Sequence, residues 1–111
     1  MIRLSSRLQD GVVVLSLDGE LDGRSATTVH QELIEQVPPE GPVLLDLSRL
    51  TYLSSGGLRL LYLVARKTEG QPAKVVLSGL SQEVRGVLAA TGFLQFFTVT
   101  DTVRDALEAL A

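Results

Sequence analysis

Val43 to Val64, VLLDLSRLTYLSSGGLRLLYLV, is the stretch whose reading decides the fold. A short apolar run, Val43-Leu44-Leu45 with Leu47, opens it, and a longer one, Leu58 to Ala65, follows. Between them stand Ser54, Ser55, Gly56 and Gly57. The short run carries the β-branched Val43 and has the length of a buried strand. The longer run is rich in leucine, a strong helix former, and exceeds ordinary strand length. The order is strand, turn, helix. Serines at a helix start can cap its free amides, and paired glycines let another group approach the backbone. Function is expected at this turn.

Upstream, Ile2 to Gln9 and Val12 to Leu17 read as two strands joined at Asp10-Gly11, a dipeptide suited to a two-residue type I′ hairpin. The acidic, glycine-rich segment Asp18 to Gly23 leads to a helix from about Ser25 to Gln36, with Ala26, Val29, Leu33 and Ile34 on one face. Pro38-Pro39-Glu40-Gly41-Pro42 stops it. Downstream, Gly70-Gln71-Pro72 breaks the chain before a strand over Ala73 to Leu77. Ser81 is placed to cap a helix that Gly92 ends in the left-handed conformation. Phe96 to Thr100 reads as a fifth strand, rich in aromatic and β-branched residues. Asp101 or Thr102 then caps a last helix carrying Val103, Ala106, Leu107 and Leu110.

This β-β-α-β-α-β-α-β-α order predicts an α/β fold: a five-stranded, mixed, mostly parallel sheet flanked by four helices, with only the first strand antiparallel. Residues 1–111 are expected to form one domain. Such sheets place working loops at the carboxyl ends of their strands. The loop after the strand ending near Ser48 is therefore a site candidate, and the loop holding Glu20 and Asp22 is expected on the same edge.

Composition narrows the function. The chain has no cysteine and one histidine, His30, expected to face solvent, so disulfides, thiolate chemistry and structural zinc are excluded. Ten basic against 13 acidic residues, without a Lys/Arg stripe, argue against direct nucleic-acid binding. Arg59 and Arg66 interrupt the longest apolar stretch, which falls short of the roughly 18 to 20 residues of a membrane span. The N-terminal MIRLSSRLQD lacks a secretory pattern, and a soluble, cytoplasmic protein is expected. Glu20 and Asp22 could pair for acid–base chemistry, but no nucleophile or second catalytic group accompanies them. Capping or solvation is the simpler reading, and neither enzyme activity nor a cofactor is expected. Gly57 is followed by Leu58 and Arg59, so the turn lacks the Lys-Ser/Thr ending of a phosphate-binding loop. Arg59, Tyr62 and Arg66, at i, i+3 and i+7, share one helical face suited either to an interface or to plain solvation.

Several pieces, in order, resemble the STAS domains of anti-sigma factor antagonists. They are Gly19-Glu20-Leu21-Asp22, Asp46-Leu47-Ser48, Tyr52 to Leu58, Gly79-Leu80 with Val84-Arg85, and Thr91-Gly92-Phe93. The resemblance implies a STAS-type fold and a non-enzymatic switch. Such a protein binds an anti-sigma factor that is also a serine kinase of the ATPase type, is phosphorylated on a serine at the helix-two turn, and is reset by a PP2C-type phosphatase. The partner surface it implies comprises Glu20, Asp22, Ser54, Ser55, Gly56, Gly57, Arg59, Tyr62 and Arg66. The family motif in its best-known form reads Asp-Ser-Ser-Gly-Leu-Gly. Aligned without gaps through Gly57-Leu58, it puts Ser54 on the Asp, Ser55 on the first Ser, Gly56 on the phosphorylated Ser and Arg59 on the last Gly. Sliding one place instead matches Ser54-Ser55-Gly56 to Ser-Ser-Gly and puts Leu53 on the Asp. The ungapped register is preferred, which makes Ser55 the nearest acceptor, with Ser54 as the alternative. A small-ligand or nucleotide-binding domain without a phosphate switch is the other class left open.

Overall fold

The structure is a computed structural model that describes residues 1–39, 41–68 and 75–110. Strands β1 (Ile2–Gln9) and β2 (Val12–Leu21) form the expected antiparallel hairpin. Asp10 and Gly11 take positive φ of 52° and 77°, and Gln9 lies opposite Val12. Helix α1 (Gly23–Gln36) follows, then β3 (Val43–Asp46), β4 (Leu50–Leu53) and α2 (Ser55–Lys67). The chain continues through β5 (Val75–Ser78), α3 (Gln82–Ala90), a 3-10 turn (Phe93–Phe96), β6 (Thr98–Thr100) and α4 (Val103–Leu110). The sheet runs β1-β2-β3-β5-β6, with β4 beside β2 and every pair except β1/β2 parallel.

Among the described residues six strands are present where five are predicted, and the addition is β4. The ten-residue β2 is long enough to pair two strands in tandem. Val13 to Ser16 face β3, and Gly19 to Leu21 face β4. Between them the chain turns at Asp46, whose carboxylate accepts hydrogen bonds from the Ser48 backbone N–H (3.1 Å) and hydroxyl (2.7 Å). Leu50-Thr51-Tyr52-Leu53 is buried only at its two ends, so it shows no alternation to read. It becomes a strand because β2 offers it free backbone partners.

Other boundaries move for local reasons. β2 extends past Leu17 to Leu21 and absorbs Glu20, while α1 begins at Gly23 because Asp22, rather than Ser25, is its cap. Phe96 belongs to the 3-10 turn, not to a strand from 96 to 100, because its ring is held against Tyr62 and Phe93. The Gly70-Gln71-Pro72 break and the start of the strand predicted from Ala73 lie outside the described residues. Ser81 caps α3 and Gly92 takes φ 80°, as predicted, and Thr102 is the residue that caps the first turn of α4.

The sheet is covered on both faces, which explains why β3 and β5 are apolar without alternation. Leu15, Leu17, Leu45 and Leu77 meet α1, α2 and α3 on one side, and Val14, Leu44 and Val76 meet Ala106 and Leu107 of α4 on the other. Leu61 is fully enclosed in the larger layer, whereas Leu8 on the hairpin is 72% exposed. Leu61→Ala is therefore expected to cost about 2 to 5 kcal/mol in urea denaturation, and Leu8→Ala to stay within about 0.5 kcal/mol. Equal losses from the two would contradict this core.

Candidate functional site

Parallel pairing of β2 with β4 sets Leu21 opposite Leu53, so the two strands end side by side and hand the chain to α1 and α2. The Ser54 amide donates to the Leu21 carbonyl (3.0 Å), which ties the second exit to the first. The two exits thus share the edge at the end of β4, and not the end of β3 near Ser48.

At the first exit, the Asp22 carboxylate accepts from the Ser25 backbone N–H (2.8 Å). The Ser25 hydroxyl accepts from the Asp22 N–H (2.9 Å) and donates to the Glu20 carbonyl (2.7 Å). This reciprocal box satisfies donors that a helix start leaves free. The Ser25 N–H, favouring the ionised form, holds the Asp22 carboxyl below its ordinary value. Asp22 is therefore committed to capping, while Glu20 is exposed. The acid–base pairing of these two has no support here.

At the second exit the glycines are required by packing. A Cβ on Gly56 would lie 2.4 Å from Cα of Gly23, and one on Gly57 would lie 2.3 Å from the Leu21 carbonyl oxygen. Backbone meets backbone, so neither position has room for a side chain. The position that aligns with the family's acceptor therefore cannot carry a serine in this packing. Two hydroxyls remain at the turn. Ser54 occupies the cap position of α2, half-buried, without a side-chain capping bond, and Ser55 is exposed as the first residue of the helix. Neither hydroxyl has a hydrogen-bond partner among the described residues.

Along α2, Ser55, Arg59, Tyr62 and Arg66 fall at i, i+4, i+7 and i+11 and share one face. Arg59 is exposed and makes no ion pair or hydrogen bond among the described residues. Its side chain borders a shallow groove between α1 and α2 that also touches Gly23, His30 and Gly56. Tyr62 is half-buried, edge-on to Phe93 (5.3 Å between centroids) and Phe96 (5.5 Å). Arg66 donates to the Tyr62 hydroxyl (3.4 Å), its guanidinium 5.9 Å from the ring centroid. The structure thus gathers Glu20, Asp22, Ser54, Ser55, Gly56, Gly57 and Arg59 at one edge, and sets Tyr62 and Arg66 further along the helix. Phe93 and Phe96, half-exposed at 50% in the case of Phe96, extend this face, which the sequence reading missed. Only the fold brings them to Tyr62, and no local spacing signals it.

The STAS domain family's profile matches residues 3–106. The chain is 39% identical over 94 residues to BtrV of Bordetella bronchiseptica, provisionally described as an anti-sigma factor antagonist, covering 84% of this chain and 81% of that one. It is 32% identical over 100 residues to the anti-sigma-F factor antagonist RsfB of Mycobacterium tuberculosis, covering 88% and 80%. The crystal structure of an anti-sigma factor antagonist from Mycobacterium paratuberculosis superposes with a TM-score of 0.85 at 27% identity, over 99% of this chain and 94% of that one. The chain belongs to the STAS domain family.

Two outcomes follow from this geometry. Gly56→Ser should not create a usable acceptor but should destabilise the fold by about 1 to 3 kcal/mol, read in denaturant titrations, because backbone must move to admit the side chain. A wild-type melting temperature for this variant would contradict the packing. The Asp22 carboxyl, lowered on folding, contributes stability that is complete above its ordinary value near 3.8 and is lost as pH falls through the lower folded value. Asp22→Asn should flatten that acid limb of the stability profile, and an unchanged slope would contradict the cap.

Proposed function

We propose that this chain is an anti-sigma factor antagonist, a binding module rather than an enzyme, switched by phosphorylation of Ser55. The observation that carries the reading is the exposed Ser55 hydroxyl at the start of α2, on an edge whose neighbouring position 56 is closed to any side chain. The names of relatives 39% and 32% identical to it support the class. The partner is an anti-sigma factor that is also a serine kinase of the ATPase type. It docks on the edge formed by Glu20, Asp22 and the Ser54 to Gly57 turn, and on the α2 face carrying Arg59, Tyr62 and Arg66.

In the phosphorylation step the Ser55 oxygen bonds to the γ-phosphorus of ATP and the bond to the bridging oxygen breaks. ADP leaves, and the hydroxyl proton passes through the kinase to solvent. The product carries about −1.5 to −2 extra charge. Beside a helix N-terminus that charge is tolerated, favoured by about 0.3 to 1 kcal/mol, so the fold persists. A docked surface does not tolerate it, because a dianion held in a dry interface loses its hydration without a counter-charge prepared for it on the partner. A PP2C-type phosphatase restores the binding form by hydrolysis.

A nucleotide or other small anion is the second reading. One observation favours it: a polar cleft of about 380 Å³ on the α4 side of the sheet, bordered by Arg3, Arg7 and Arg49 together with Asp18 and Asp46. Thermal stabilisation of the isolated protein by nucleotide would support that reading.

The antagonist reading is tested with purified protein, the cognate kinase and ATP. Phosphate located by mass spectrometry should sit on Ser55. Ser55→Asp should stay folded yet weaken partner binding, Ser55→Ala should bind constitutively, and Ser54→Ala should behave as wild type. Modification confined to Ser54 would reject the assignment, and none at all would leave a constitutive binding module. Reversing the charge at Arg59 should slow association and leave the melting temperature nearly unchanged.

A further inference from the structure

We propose that Arg59 is a phosphate clamp, closing one helical turn back onto Ser55 when that serine is phosphorylated. The inference rests on the reading of Ser55 as the acceptor and adds the residue that answers the modification. Ser55 and Arg59 lie four residues apart in the continuous helix α2, which sets their Cβ atoms roughly 5 to 6 Å apart on one face. Both are exposed, so the two side chains can meet without displacing any packed group.

The other arginines near this edge differ from Arg59 in occupation or in place. Arg66 is engaged with the Tyr62 hydroxyl and ring, about three turns from Ser55. Arg49 pairs with Asp18 at 3.8 Å. Arg59 alone of these three has no ion pair or hydrogen bond among the described residues, and it lines the groove that Gly56 also borders. Arg24, in the first turn of α1, is the one competitor that geometry leaves in the neighbourhood, because Gly23 abuts Gly56.

Polarity along the helix also fits. An acidic group four residues N-terminal to a cation is the favourable order for such a pair, and phosphate at position 55 with guanidinium at 59 has that order. The planar guanidinium can offer two parallel N–H donors to two phosphate oxygens, which an ammonium cannot. The clamp adds a second consequence to phosphorylation: besides placing negative charge at the turn, it withdraws from the surface offered to a partner a cation that has no ion pair among the described residues. An aspartate mimic, with a shorter reach and one charge, would withdraw Arg59 less completely.

The test uses full-length protein with phosphoserine installed at position 55 during translation, so no kinase takes part. The second ionisation of the phosphate is followed by phosphorus NMR as pH is varied. Pairing with Arg59 favours the dianion, so Arg59→Gln should raise that pKa by roughly 0.2 to 0.7 pH unit relative to the wild-type sequence. Arg59→Lys should recover part of the difference, and Arg66→Gln and Arg24→Gln should leave the titration unchanged. Identical titrations for the wild-type sequence and Arg59→Gln, or a shift produced by Arg24→Gln in place of Arg59→Gln, would overturn the clamp. A kinase that ignores Ser55 would remove the switch proposed above while leaving this titration as it stands, so the two failures are distinguishable.

Discussion

The contact on which the candidate site depends is the approach of bare backbone to bare backbone where α2 begins. Gly57 sits against the Leu21 carbonyl and Gly56 against Gly23, at distances that leave no space for a β-carbon. Interiors are packed too densely for such a clash to be absorbed without moving backbone, so these residues fix how α2 leaves the sheet. The bond from the Ser54 amide to the Leu21 carbonyl adds direction to that contact. Ser55, the next residue, is consequently held outward, and the helical repeat carries Arg59, Tyr62 and Arg66 along with it.

A second constraint, the length of β2, makes that contact possible. One half of this strand pairs with β3 and the other with β4, so the chain between them turns at Asp46 to Arg49 and returns to the same neighbour. Without β4 the turn at Ser54 to Gly57 would leave the sheet beside β3, away from the exit of β2. The tandem arrangement brings two strand ends and two helix starts to one edge.

Electrostatics at this edge are uneven between the two helix starts. The start of α1 is already satisfied by the Asp22 and Ser25 box, so its capping carboxylate is occupied. The start of α2 has no side-chain cap, and two hydroxyls stand there without partners among the described residues. A helix start left in that condition accepts an anion readily, which separates the stability of the fold from the chemistry of its surface.

Local sequence determined much of this protein. Asp10-Gly11 dictated the hairpin, apolar runs bounded by proline and glycine placed β3 and three of the helices, and the β/α alternation dictated a mostly parallel sheet, because these signals act over a few residues of chain. The serines and glycines of the turn were legible as a helix start for the same reason. Only tertiary structure decided that Leu50 to Leu53 is a strand, since its partner is the far half of β2. The fold likewise decided that Phe93 and Phe96 meet Tyr62, and that position 56 admits only glycine. Each of these depends on a group distant in sequence or on space left by neighbours, and neither is written in the spacing of residues along the chain.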